Sequence, residues 1–265
     1  MTVLTNIYFV FFTCLIPIAT ESASYVLNQS LKTNICIIQN AVYFLGTPYV
    51  PNTLESSGEE KLTVFNNKYD CVTFVEYILA LSIYQTQTIE TKKSIHQIIT
   101  NLRYRDGIID GYGSRLHYFT EWILRNEKNG TIKNITSVIG GKAFDKKINF
   151  MTTHSSKYPK LQNNKDLQEV KAAENFLNGQ ALTYIPKEDV RLTYPHIQHG
   201  DIIAITTGID GLDIVHTGFA YRKGGNIHLL HASEKEGKVV ISELPLSEYM
   251  QKNKSQSGIM VARVN

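Results

Sequence analysis

Three side chains have the types and the order that nucleophilic catalysis by a cysteine needs: Cys71, His216 and His231. A thiolate attacks a carbonyl; a base within hydrogen-bond reach takes and returns its proton; a third group orients that base. Cys71 follows Asp70, a good helix N-cap because its carboxylate can accept a bond from an orphan backbone N–H. Val72, Val75, Leu79 and Ile83 then recur at helical spacing and predict a buried stripe. The cysteine is thereby expected in the first turn of a core-facing helix, where unpaired N–H groups and the helix dipole favour its thiolate. The bland alternative is a small buried hydrophobe, since free cysteines are often fully buried.

The histidines fall in the segments Asp213-Ile-Val-His-Thr-Gly-Phe-Ala220 and His228-Leu-Leu-His-Ala-Ser233, which predict neighbouring antiparallel strands joined at residues 222–226. Pairing across such a hairpin can set His216 and His231 side by side, and alternation puts His228 on the opposite face. His216 is then the base and later the acid, and His231 its orienter. A Cys and two His could also be three zinc ligands, and each histidine taken alone could be an ordinary strand residue.

The elements that must position these groups follow a simple order. Helices are expected at 25–45, from Cys71 to about Leu81, at 91–103, from Tyr118 to Arg125 with a half-buried Trp122, and at 167–178. In the first, Cys36 is expected on the apolar side with Ile35, Ile38, Val42 and Leu45. Residues 126–165 are rich in Lys, Asn, Thr and Ser with weak periodicity, and Tyr184-Ile185-Pro186 reads as punctuation. From Asp201 onward the pattern turns to strands: 201–206, 214–221, 227–231, 239–242 and 259–264. Helices first and strands after predict an α+β fold, with the Cys71 helix across an antiparallel meander or small barrel. Between Tyr104 and Tyr118, two Asp-Gly pairs and a third Gly predict a loop. Its Arg115 and His117 make it either ligand-facing or ordinary surface.

The composition, 43% hydrophobic and 19% charged over 265 residues, is that of one folded domain, expected over 25–265. A formal charge of +3 is too small and dispersed for nucleic acid, and no stable protein partner is expected. Ile7 to Ala19 has the length of a signal-peptide apolar core, and Ser22-Ala23-Ser24 the small residues of a cleavage site. Residues 1–24 are therefore expected to be an export signal whose removal, with Glu21, takes the charge from +3 to +4. The protein is expected to be exported by a bacterium, to the periplasm or beyond. Only Cys36 and Cys71 would remain, with Cys71 a free thiol.

Gly46-Thr-Pro-Tyr49, Asp70-Cys-Val-Thr-Phe-Val75, His199-Gly-Asp-Ile202, His216-Thr-Gly218 and His231-Ala232 together resemble the NlpC-type papain-like cell-wall peptidases. Val72-Thr73 stands where that superfamily usually has Ser-Gly. This departure and the loop Asp106-Gly-Ile-Ile-Asp-Gly-Tyr-Gly-Ser-Arg-Leu-His-Tyr118 look closer to one branch, the N-acetylmuramoyl-L-alanine amidase-like family of exported bacterial proteins. The resemblance runs from about Gly46 to Val264. It implies a papain-like α+β fold and a Cys-His-His hydrolase of peptidoglycan fragments without cofactor or metal. The bond would be that between N-acetylmuramic acid, in its ordinary or 1,6-anhydro form, and L-alanine. Tyr49 would face the nucleophile, with Asp70, Arg115 and His117 counted among the substrate-binding residues. Cleavage between D-glutamate and the diamino acid is the neighbouring alternative, and an inactive wall-binding module the third.

Overall fold

The computed structural model describes residues 32–55, 57–88 and 92–265. The expected export signal and the start of the expected first helix lie outside them. Residues 32–43 form helix α1, and the chain turns away at Gly46, whose φ of +85° suits glycine. The buried side of α1 is Ile37, Ile38 and Ala41. Ile35, Val42 and Leu45, expected to be inside, are exposed, and Cys36 is half-buried. The helix carries two apolar stripes, and polar anchors decide which one packs. Asn40 donates to Ser82 Oγ at 2.9 Å and to Gln85 Oε1 at 2.8 Å, both on helix α2 (Cys71–Thr86).

Helix α2 starts where expected. Asp70 Oδ1 accepts the N–H of Thr73 at 2.8 Å, and Thr73 Oγ1 accepts the N–H of Asp70 at 3.0 Å, a reciprocal capping box. Its burial exceeds the expected stripe, because Phe74, Ile78 and Ala80 are covered along with Val75 and Leu79. The sheet, α1 and α3 (Ile95–Arg103, capped by Ser94) surround it. A helix covered on several sides has no single apolar face. Its buried Glu76 is matched by Arg103 of α3 at 2.8 Å.

The loop after α3 is clamped by a bridge between Tyr104 and Arg115 and leads into α4 (Phe119–Lys128). Trp122 there is 1% exposed rather than half-buried, its ring stacked on Phe119 at 4.7 Å. The weakly patterned region holds short pieces: β1 (Ile132–Asn134), β2 (Lys142–Ala143) and α5 (Phe150–Thr153). Then follow α6 (Asn164–Asn178) and β3 (Thr183–Pro186), the latter a strand where punctuation was expected.

The remaining strands fall where the sequence pattern put them: β4 (Ile202–Thr207), β5 (Ile214–Lys223), β6 (Asn226–Ser233), β7 (Lys238–Ile241) and β8 (Gln256–Val264). A six-residue helix, α7 (Leu246–Gln251), precedes β8. Among the described residues these strands pair antiparallel, in the order β2-β3-β8-β4-β5-β6-β7, with β1 also on β8. Strands β4 to β7 are the expected meander. Both faces of the sheet are covered. Ile202, Ala204, Phe219, Leu230 and Met260 pack with α2, and Ile203, Ile205, Ala220, Leu229 and Ile259 with Val190, Ile197, Leu246 and Met250. That is why β4 reads as a continuous apolar run.

The sheet opens between two of its central strands. β5 and β6 pair from Lys223↔Asn226 only as far as Phe219↔Leu230, although both strands continue. Beyond that point β5 keeps its ladder with β4, and β6 its ladder with β7.

Candidate active site

Cys71 sits at the opening between β5 and β6. Phe74, one turn along α2, packs edge-on against Phe219 of β5, with ring centroids 6.0 Å apart. This contact seats the helix start on β5, and the backbone N–H of Thr217, with those of Cys71 and Val72, lies near the sulfur and favours its thiolate. His216 is the neighbour of Thr217. It lies opposite Ile205 of β4 and so shares that residue's face of the sheet, away from α2. Gly218 leaves the room for His231: a Cβ there would lie 2.8 Å from the Cβ of His231 and 2.8 Å from the carbonyl of Leu230. The histidines are thus diagonal rather than directly opposed, and His216 Nε2 meets His231 Nδ1 at 2.5 Å with the rings nearly perpendicular. That bond engages Nε2 of His216 and leaves its Nδ1 to other partners.

Electrostatics of the trio departs from the expectation built on the helix start alone. Burial, with the Asp70 charge adding to it, pushes the Cys71 thiol up to about 12 against the pull of its three N–H groups. Burial lowers His216 to about 4 and holds His231, which is 1% exposed, well below the usual histidine range. Burial thus holds the thiol and both imidazoles neutral.

Cys71 opens into a recess of about 320 Å³. Tyr49 lines it too, held by its N–H to the carbonyl of Gly237 at 2.9 Å, and its hydroxyl is pushed up to about 12 by burial and by the neighbouring Cys71. Asp70 lines it, but its carboxylate is engaged: besides the cap bonds, Oδ2 accepts from Thr53 at 2.6 Å. Asp70 thus fixes the helix start while lining the recess. Arg115 also fails to offer a free charge. It is 4% exposed, paired with Glu55 and with Glu60 at 3.6 Å, bonded to the carbonyl of Leu54 at 3.0 Å and laid over the Tyr112 ring. His117 lines the recess with its ring against Tyr112 at 4.3 Å.

The sequence pattern gave no sign of Tyr249 of α7, whose ring packs edge-on against His231 at 5.6 Å and whose hydroxyl pKa is raised by burial and by Cys71. Nor did it mark Met151, Tyr158 and Leu212 on the recess wall, where Tyr112 stands for the loop of Arg115 and His117.

A model of the N-acetylmuramoyl-L-alanine amidase-like family matches residues 39–259. The chain belongs to that family. The amidase-like chain is also similar to solved structures. A Bacteroides uniformis N-acetylmuramoyl-L-alanine amidase is 35% identical, with a TM-score of 0.82 over 88% of this chain and 99% of its own. A Bacteroides fragilis protein provisionally named a xylanase is 38% identical, with a TM-score of 0.80 over 85% of this chain and 100% of its own. A Legionella pneumophila protein, at 22% identity and TM-score 0.63 over 93% of each chain, shares the fold alone. No curated protein sequence matches. The amidase-like chain thus has the mixed α/β architecture of these proteins, with its antiparallel sheet.

Proposed function

We propose that this chain is an exported papain-like cysteine amidase that cuts the amide between N-acetylmuramic acid and L-alanine in peptidoglycan fragments. The observation that carries the reading is the 2.5 Å bond between His216 and His231 beside a helix-start cysteine that faces a recess. Family membership and the Bacteroides uniformis amidase support the substrate class.

In this mechanism His216 rests as the Nε2–H tautomer, donating to His231 Nδ1, which leaves its Nδ1 lone pair for the thiol. The sulfur of Cys71 attacks the lactyl carbonyl as its proton moves to His216 Nδ1. His231, kept neutral by burial, accepts the now charge-assisted bond from the imidazolium. The oxyanion forms near the helix start, where the N–H groups of Thr73 and Phe74 are already engaged by Asp70 and those of Cys71 and Val72 remain. His216 then protonates the departing L-alanine nitrogen, and water activated by the same ring frees the sugar acid from the thioester.

A glycosidase, as the Bacteroides fragilis name suggests for that protein, works with two free carboxyl groups across the bond. In this recess Glu55, Glu76 and the neighbouring Glu60 lie on arginines, and Asp70 on a helix cap. The test is mass spectrometry of a purified N-acetylmuramoyl-tripeptide after incubation with wild type, Cys71→Ala and His216→Ala. Free muramic acid plus intact tripeptide, formed by wild type alone, supports the proposal. A muramyl dipeptide would instead make the chain a D-glutamyl–diamino acid endopeptidase, and no turnover at all a binding module.

A further inference from the structure

The recess wall formed by Tyr112, Arg115 and His117 has a definite hydrogen-bonding sense. His117 Nε2 lies 2.7 Å from the backbone carbonyl of Tyr112. A carbonyl can only accept, so Nε2 carries the hydrogen. Burial, reinforced by the Arg115 charge, holds the ring well below the usual histidine range, so it is neutral. A neutral imidazole with hydrogen on Nε2 has a lone pair on Nδ1, and among the described residues nothing bonds to that atom. The tilted stack on Tyr112 fixes the ring plane. Beside it, the Arg115 guanidinium is balanced by Glu55 and Glu60 and keeps no charge for a ligand.

We propose that His117 Nδ1 accepts a hydrogen bond from an N–H or O–H group of the substrate, so that this wall selects a neutral donor and not a carboxylate. The inference rests on the amidase reading and adds the polarity of one of its substrate contacts. Peptide amides and sugar hydroxyls both supply such donors, and the two halves of the cleaved molecule separate them.

Two substitutions dissect the residue. His117→Gln keeps a donor for the Tyr112 carbonyl and removes the acceptor at the Nδ1 position. His117→Asn keeps an acceptor there and removes the anchor. With the N-acetylmuramoyl-tripeptide as substrate, H117Q is expected to raise KM about tenfold, the value of one net hydrogen bond, with thermal stability unchanged. H117N is expected to keep KM within about threefold while losing thermal stability. N-acetylmuramic acid and the free tripeptide are then titrated as inhibitors of wild type and H117Q, and the half whose inhibition weakens carries the donor. The inference is overturned if KM tracks stability in both variants, if it moves in neither, or if inhibition by both halves is unchanged. It is overturned equally if amidating the carboxylates of the tripeptide weakens binding to wild type but not to H117Q. Failure of the amidase reading looks different: wild type then leaves the substrate intact, and calorimetry with Cys71→Ala shows neither half binding.

Discussion

At the scale of single residues, the proposed mechanism separates groups that react from groups that hold them. Cys71→Ala should abolish amide cleavage, and His231→Leu should lower kcat by roughly 10²–10⁴ with KM little changed, since only the orientation and tautomer of His216 are lost. Steady-state kinetics on a defined muropeptide checks both; a KM effect for His231→Leu would assign that ring to substrate instead. Arg115 belongs to the holding groups. Arg115→Ala leaves Glu60 buried beside Tyr104 and Lys160 with its closest guanidinium gone, and should cost about 3 kcal/mol in urea denaturation. A loss confined to KM, with the denaturation midpoint unmoved, would return Arg115 to the role of carboxylate receptor. The sequence placed Arg115 at the site but not its partners. Glu55 stands 60 residues upstream, and no local pattern links the two.

At the scale of elements, the constellation depends on how β5, β6 and α2 end. Gly218→Ala puts a methyl group against the backbone of β6 and the Cβ of His231, so the strand must shift. Lower kcat and a lower melting temperature are expected together, and crystallography of the variant should show His231 drawn away from His216. Asp70→Ala removes the α2 cap and should cost about 1 kcal/mol, with Asp70→Asn recovering most of it. Equal losses for Ala and Asn would mean that the charge of Asp70, not its cap, is what counts. Much of this was legible. Apolar runs between glycine turns found β4 to β8, and Asp70 marked the start of α2, because both signals are local. β1, β2 and α5 were not, since pieces of two to four residues are held by distant partners, β1 by β8. Tyr249 was hidden for the same reason: its place over His231 is set by the return of α7 to the sheet and not by any motif. The exposed stripe of α1 shows the converse, an apolar pattern that is present but has no polar anchors beside it to select it.

At the scale of the whole molecule, burying neutral histidines makes folding sensitive to mild acid. His117, His216 and His231 all titrate below the unfolded value of about 6.5, His216 at about 4. Between those limits the unfolded chain binds more protons than the folded one, so stability falls as pH falls from about 6.5. Each group contributes a slope of up to about 1.4 kcal/mol per pH unit. Urea midpoints measured from pH 7 to pH 4.5 should decline steadily, and less steeply in His117→Gln. A flat profile down to the carboxylate range would contradict the burial of these rings. The unpaired stretch of β5 has one more consequence. An amide hydrogen that would ordinarily face a neighbouring strand, that of Thr217, lies near the Cys71 sulfur and favours its thiolate instead. Alkylating or ionising Cys71 should therefore displace the Thr217 resonance in a nitrogen-proton NMR spectrum while leaving the signals of Phe219 and Ala220 in place. The protein carries its own spectroscopic gauge of the thiol, readable with no muropeptide present.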